Sequence, residues 1–212
     1  GFWNVLCGQG GVDGPLVLGS RSTCIPAGFG GYHGRALRVG DEIHVGESAV
    51  PALAPEVRLA LPQALCDQSS SLKVHCMAGP EFLTLEEASQ HAFTTEVFKL
   101  AVKSSRMAYR LESAEHTLNF QQTISLRSHA VHPGVVQLTP HGEVVVLLAD
   151  AQATGGYPRI ASVLACELWK FAHLGAGQGV HWVVVDAAQA TRLQLQHEQE
   201  TRRYYHVIES NR

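Results

Sequence analysis

Asp150-Ala-Gln-Ala-Thr-Gly-Gly-Tyr-Pro-Arg159, called the 150–159 motif below, separates an apolar run from an amphipathic one. The preceding run, Glu143-Val-Val-Val-Leu-Leu-Ala149, predicts a buried strand. The apolar residues after the motif recur at helical spacing, at Ile160, Val163, Leu164, Leu168 and Phe171. The motif is therefore predicted to connect a strand to a helix.

The residue types of this connection suit anion binding. Gly155-Gly156 lets backbone N–H groups approach a ligand, because no Cβ stands in the way. Pro158 would fix φ at the start of the expected helix, whose N-terminus offers free N–H groups and a partial positive charge. Arg159 would add a charged fork for a carboxylate or a phosphate. A turn with a helix cap is the alternative that these residues leave open.

The motif and four further blocks resemble the allophanate hydrolase subunit 2 family. The blocks lie at Gly10–Pro15 with Leu18–Thr23, Gly28–Leu37, Ser105–Leu111 and Ser128–Gln137. They follow the family order and cover nearly the whole chain. Ala153 departs from the family pattern where Thr is usual, and Ala108 and Ala130 depart from it where Gly is usual.

Many short strands, glycine-rich turns and few helices indicate a mainly β protein. The resemblance implies cyclophilin-like β-barrel domains with a few short helices. The chain begins inside the family pattern at Gly1-Phe-Trp3, without the family's Thr-Val-Gln-Asp-x-Gly-Arg segment. We therefore expect an incomplete N-terminal β domain at residues 1–70 and a cyclophilin-like domain at residues 71–212. The boundary is placed near Ser70, after a proline- and serine-rich connector.

Several elements are predicted from local patterns. Thr84-Leu-Glu-Glu87 has the form of a capping box, which predicts a helix from Leu85 to about Phe93. Asp186 and Gln189 predict the cap of a long polar helix from Ala187 to about Tyr205. Strands are predicted at residues 2–7, 72–77, 98–102, 109–111, 135–138, 144–148 and 181–185, with a hairpin turn at residues 139–142.

Composition excludes some classes of function. The 212 residues carry a net charge of −3 with scattered basic side chains, which is not the footprint of a nucleic-acid-binding protein. The sequence contains no apolar run of membrane-spanning length and opens with no signal peptide. Five widely spaced cysteines suggest reduced thiols in the cytoplasm. His129 and His132 precede Pro133 in a predicted turn, so no metal site is expected.

The resemblance implies the C subunit of an ATP-dependent 5-oxoprolinase, which hydrolyses 5-oxo-L-proline to L-glutamate. Its partners would be a B subunit of the allophanate hydrolase subunit 1 type and a separate A subunit, with ATP used through the complex. A homodimer is also compatible. Two alternatives remain: the carboxyltransferase module of a biotin-dependent urea pathway enzyme, and a non-catalytic KipA-like binding protein. The sequence has no biotinyl Met-Lys motif, so biotin would come from another protein.

The site residues follow from the motif and the resemblance. Asp150, Gln152 and Arg159 are the predicted catalytic residues. Substrate or anion binding is assigned to the rest of the set: Thr154, Gly155, Gly156, Tyr157, Arg106, Arg21 and Ser22. Ser128 with His129 as a nucleophilic pair is a weak alternative, because adjacent side chains rarely point at one another.

Overall fold

The computed structural model describes residues 8–48, 71–175 and 177–210. The chain divides into two compact units. The larger contains the described residues from 71 to 208, and the smaller contains residues 8–48 and 209–210. The strand predicted at residues 2–7 and the domain boundary predicted near Ser70 lie outside the described residues.

The smaller unit is rich in turns. Its described strands are β1, Thr23–Cys24, and β2, Phe29–Gly30, which pair in antiparallel fashion. Close backbone packing requires glycine at position 34, where φ is +67° and an added Cβ would stand 2.1 Å from the carbonyl oxygen of Gly28. The glycines of the 28–34 segment thus serve a tight β-connection.

The larger unit is built on a closed barrel. The described strands of the larger unit are β3 Ser71–Ala78, β4 Val97–Leu100, β5 Ala108–Ser113, β6 His129–Ala130, β7 Val135–Leu138, β8 Val144–Leu147, β9 Thr154–Gly155, β10 Arg159–Val163 and β11 Gly179–Val184. All of them except β6 and β9 belong to the barrel. The barrel order is β10-β3-β11-β4-β5-β8-β7, and β7 closes on β10. Only the β11–β3 pair within it is parallel. The prediction of a mainly β protein with a β-barrel is confirmed.

Three helices and two 3-10 turns lie among the described residues after β3. They are α1 Glu87–Thr95, α2 Trp169–His173 and α3 Ala187–Ser210, with 3-10 turns at Phe82–Thr84 and Ala165–Glu167. The cap predicted for α3 is confirmed, because the Gln189 N–H donates to Asp186 Oδ1 and the Asp186 N–H donates to Gln189 Oε1. Among the described helices, none is both long and apolar enough to span a bilayer.

The β7–β8 hairpin is apolar on both faces, which explains the continuous valine run of the sequence. Its inward residues, Val136, Leu138, Val144 and Val146, pack in the barrel core with Trp182 and Phe93. Its outward residues Val135, Val145 and Leu147 form a second cluster with Val131. The second cluster lies under the 150–159 motif, where Ala151 packs against it. Burial on both faces thus places the motif against the outside of the barrel.

The helix predicted directly after the motif is wrong. Residues Arg159–Val163 form β10, which pairs with β3 on one side and β7 on the other. The spacing of Ile160 and Val163 fits a helix, but a strand is needed here to close the barrel. The Pro158 carbonyl accepts a hydrogen bond from the Leu138 N–H instead of starting a helix. The motif therefore has no helix N-terminus to offer an anion.

The capping box predicted at Thr84 is also wrong. The Thr84 hydroxyl donates to the Glu81 carbonyl within a 3-10 turn. Helix α1 begins later, at Glu87, with Glu86 at its N-cap position. The 3-10 turn uses the threonine locally, so the helix starts two residues further along the chain.

Candidate functional site

The motif runs over the outside of the barrel as a strap. Thr154 and Gly155 form β9, which pairs with β6 so that Thr154 faces Ala130 and Gly155 faces His129. The Val131 N–H donates to the Ala153 carbonyl and extends this pairing. Backbone hydrogen bonds therefore fix the middle of the motif beside the second apolar cluster.

A cavity of about 400 Å³ lies between this strap and strands β5, β7 and β8, and it is called the motif cavity below. Gln152 and Tyr157 line it from the motif. The other lining residues come from the barrel strands and the two loops beside them: Lys103, Ser105, Met107, Ala108, Arg110, Gln137, Thr139, His141, Glu143, Val145 and Leu147. Its volume falls in the range of small-molecule sites, and its walls combine apolar and polar side chains.

Gln137 is the polar residue that the sequence reasoning missed. It lies on β7 with only 1% of its surface exposed, and its amide Nε2 donates to the Tyr157 carbonyl across 3.5 Å. A Cβ added to Gly155 would stand 2.9 Å from Gln137 Nε2 and 3.6 Å from Gln152 Nε2. Two side-chain amides therefore approach the same glycine. The signal in the sequence was a glutamine inside an otherwise apolar strand, Val135-Val-Gln-Leu138.

The structure brings Asp150 and Arg106 together. Arg106 Nε lies 3.1 Å from Asp150 Oδ2, and Arg106 Nη2 lies 3.1 Å from Asp150 Oδ1. The Asp150 N–H also donates to the Arg106 carbonyl. Both side chains are about half exposed, and neither belongs to the lining of the motif cavity. This two-point ion pair fixes the start of the motif and compensates the charge of Arg106.

Arg159 is fixed at the other end of the motif by Glu81. Its backbone N–H, Nε and Nη2 all donate to the Glu81 carboxylate, over 2.8, 3.3 and 3.1 Å. Burial raises the pKa of Glu81, but the hydrogen bonds and charge of Arg159 outweigh it and the net direction of the pKa is downward. The free guanidinium expected at a helix start is therefore an ion pair on β10.

The remaining motif residues lie beside the cavity or outside it. Thr154 is exposed on β9. A Cβ added to Gly156 would meet its nearest neighbours, Leu126 O and Ser128 Oγ, at 3.5 and 3.8 Å, which are ordinary contacts. Gly155 therefore has the tighter surroundings of the two glycines.

Arg21 and Ser22 belong to the smaller unit. Arg21 lines a separate cavity of about 750 Å³ and its Nη2 lies 3.8 Å from Asp13 Oδ1. The Ser22 N–H donates to the Ser20 hydroxyl. In the same unit Arg35 makes two hydrogen bonds to Asp41, of 2.8 and 2.9 Å. Those bonds hold the pKa of Asp41 well below its usual range.

Histidine, acidic and thiol side chains outside the motif form a further set of candidate groups. His129 Nδ1 lies 3.1 Å from the Arg127 carbonyl and His132 Nδ1 lies 2.8 Å from the Pro133 carbonyl. Among the described residues, Glu96, Glu115 and His116 place ligand atoms within 4.8 Å of one another, where His116 already pairs with Glu96. Burial, with the nearby Glu167 charge, raises the pKa of the Cys76 thiol to about 12.

Residues 1–184 match the carboxyltransferase domain family, subdomains A and B, and the chain belongs to that family. It is 35% identical over 208 residues to the 5-oxoprolinase C subunit of Escherichia coli, covering 98% of this chain and 63% of that protein. It is 27% identical over 209 residues to the urea amidolyase of Lachancea kluyveri, covering 87% of this chain and 11% of that protein.

A crystal structure of the K. lactis urea amidolyase matches the fold, with a TM-score of 0.73 and 24% identity over 96% of this chain and 13% of that one. The chain thus spans about three fifths of the length of the E. coli relative. The family resemblance predicted from the sequence blocks is confirmed.

Proposed function

We propose that this chain is the C-type subunit of an ATP-dependent 5-oxoprolinase complex, which hydrolyses 5-oxo-L-proline to L-glutamate. This proposal rests on one observation. The chain is similar over 98% of its length to the C subunit of a 5-oxoprolinase. A cavity of small-molecule size beside the 150–159 motif supports the location of the substrate.

The chemistry of lactam opening fits a site that positions groups rather than one that supplies a nucleophile. A lactam is a poor electrophile, and transfer of the ATP γ-phosphoryl group to its carbonyl oxygen activates the carbonyl carbon for attack by water. The ring C–N bond of the resulting adduct then breaks with the nitrogen leaving as the amine, and a second water releases phosphate from the acyl phosphate to give glutamate. Such steps depend on orientation and on stabilisation of negative charge. ATP reaches the reaction through the complex.

The motif residues then have separate roles. Gln152 and Tyr157, which line the cavity, hold the substrate amide. The Gly156 N–H group with Thr154 binds the developing oxyanion or phosphate, while Gly155, which pairs with His129, holds this part of the motif in place. Asp150 accepts a proton or orients a partner group.

The arginines support these roles through their ion pairs. Arg106 holds the orientation of the Asp150 carboxylate. Arg159 acts as a positioning residue, because its guanidinium is held by Glu81 at the end of the motif. Arg21 binds an anion at the separate cavity of the smaller unit, which it lines, and the neighbouring Ser22 is assigned to the same anion.

The complex contains a B subunit of the allophanate hydrolase subunit 1 type and an A subunit, and it works in the cytoplasm. The test is coexpression with candidate A and B subunits, followed by measurement of L-glutamate and phosphate formed from 5-oxo-L-proline and ATP. We expect both products from the assembled complex and neither when this chain is omitted. Equal product formation without the chain would refute the proposal.

The second candidate is a carboxyltransferase module of a biotin-dependent urea pathway enzyme. The 27% identity to a urea amidolyase favours it. The same purified complex would then consume urea with ATP, bicarbonate and a biotinylated partner and would leave 5-oxo-L-proline unchanged. A complex that assembles but turns over neither substrate would favour the KipA-like binding protein.

A further inference from the structure

We propose that the motif cavity selects a cyclic amide that also carries a carboxylate, with Gln152 contacting the amide and Lys103 contacting the carboxylate. This assignment rests on the function proposed above, since it concerns the substrate of the same site. It names a specificity residue, Lys103, that lies outside the five sequence blocks of the family resemblance.

Three arginines at the motif or in the cavity wall are paired with carboxylates. Arg106 pairs with Asp150, Arg159 pairs with Glu81, and Arg110 Nη1 lies 2.6 Å from Glu143 Oε2 in the cavity wall. Each of these cations already faces a carboxylate, so it offers little charge to a ligand.

Lys103 is different. It lies in the loop after β4, lines the motif cavity, and forms no ion pair or hydrogen bond with any residue of the described ranges 8–48, 71–175 and 177–210. The other formal charges in the lining, Arg110 and Glu143, cancel each other. The cavity therefore has a net positive charge, carried by one flexible ammonium group that can reach an anion.

Gln152 supplies the exposed side-chain amide of the motif cavity. Gln152 is exposed in the cavity and makes no hydrogen bond within the described part of the chain. Gln137 lies buried behind it, and both amides approach Gly155. The buried amide and the strap backbone thus limit where the Gln152 side chain can go.

A primary carboxamide presents a donor and an acceptor side by side. The ring of a lactam holds its N–H and C=O on the same edge, so the two groups can pair through two hydrogen bonds. An open-chain secondary amide keeps the trans form, which places its N–H and C=O on opposite edges. Gln152 therefore favours a lactam over an open-chain amide.

Lys103 provides the second basis for selectivity, which is the carboxylate of the ligand. A lactam with a carboxylate gains a charged hydrogen bond that a neutral lactam or urea lacks. Because Lys103 is exposed, we expect this charged hydrogen bond to raise the affinity about tenfold, which corresponds to about 1.4 kcal/mol.

The test is calorimetric titration of the purified chain with 5-oxo-L-proline and with 2-pyrrolidinone, the same ring without the carboxylate. We expect Lys103→Met to lower the affinity for 5-oxo-L-proline about tenfold and to change the affinity for 2-pyrrolidinone by less than about twofold. We expect Gln152→Leu to weaken both ligands. Lys99→Met, at an exposed lysine on β4 outside the cavity lining, is the matched control and should change neither affinity.

An equal loss for both ligands in Lys103→Met would overturn the proposal, as would unchanged affinity for 5-oxo-L-proline. Failure of the wild-type chain to bind either ligand would also overturn it. If the assembled complex still forms glutamate in that case, the proposed function stands and this assignment alone fails. If Lys103-dependent binding is found but the complex forms no glutamate, the function fails and the recognition of an anionic lactam stands.

Discussion

Replacing Gly155 by alanine should destabilise the larger unit through one contact. The added methyl carbon would stand 2.9 Å from Gln137 Nε2, whereas favourable non-bonded contacts begin near 3.5 Å. Gln137 is 1% exposed, and its amide can move away only by giving up its hydrogen bond to the Tyr157 carbonyl. The φ of Gly155 lies outside the left-handed region, so the cost is steric rather than conformational. Overpacking of this size costs about 1 to 3 kcal/mol.

The assay is urea unfolding of the purified chain, followed by tryptophan fluorescence and circular dichroism. Gly156→Ala is the matched control, because the nearest neighbour of its methyl carbon would be the Leu126 carbonyl oxygen at 3.5 Å. We expect that variant to differ from wild type by less than about 0.5 kcal/mol.

A double variant isolates the contact itself. Truncating Gln137 to alanine removes the atom that the new methyl group meets. The free-energy cost of Gly155→Ala should therefore be smaller in the Gln137→Ala background than in wild type. Equal costs in the two backgrounds, or equal stability of Gly155→Ala and Gly156→Ala, would refute the reasoning.

Three further predictions concern the ion pair, a thiol and the cap of α3. Glu81→Gln should lower the free energy of unfolding by about 1 to 2 kcal/mol near neutral pH. Because the folded-state pKa of Glu81 is lowered, its ion pair stabilises the fold above the unfolded-state pKa, and this stabilisation is lost as the pH falls through the folded-state pKa. In the acid range, the free energy of unfolding should therefore depend less steeply on pH in the variant than in wild type. The thiol of Cys76, with a pKa of about 12, should not react with a thiol reagent at pH 8 in the native chain. Cys76→Ser should then lower the thiol count of the unfolded chain by one and leave the native count unchanged. Asp186→Ala should cost about 1 kcal/mol and increase amide exchange in the first turn of α3, and unchanged exchange there would contradict the capping role.

Local sequence patterns were enough to predict those elements whose interacting residues lie close together in the sequence. The β7–β8 hairpin and the reciprocal cap of α3 both follow from residues within a few positions of one another. The strand β10 could not be predicted in this way. Its five residues fit helical spacing, and its strand conformation comes from pairing with β3 and β7, which are distant in the chain.

In the candidate site, too, local features could be predicted from the sequence, whereas contacts between distant residues could not. The sequence singled out the motif as a polar connection after a strand, but the partners of its charged residues Asp150 and Arg159 were not visible there. Glu81 lies 78 positions before Arg159, and Arg106 lies 44 positions before Asp150. Gln137 was missed because a single amide in an apolar strand carries no spacing signal. Only the closed barrel brings these residues to the motif.

The most direct test of the central claim is 5-oxo-L-proline-dependent ATP hydrolysis by the assembled complex of the three subunits. Wild-type complex is compared with complexes carrying Gln152→Leu in the motif cavity or Gln196→Leu on the exposed surface of α3. We expect Gln152→Leu to lose at least nine tenths of the activity while the complex still assembles, and Gln196→Leu to keep wild-type activity. Full activity in assembled Gln152→Leu complex would show that the substrate binds elsewhere and would contradict the account.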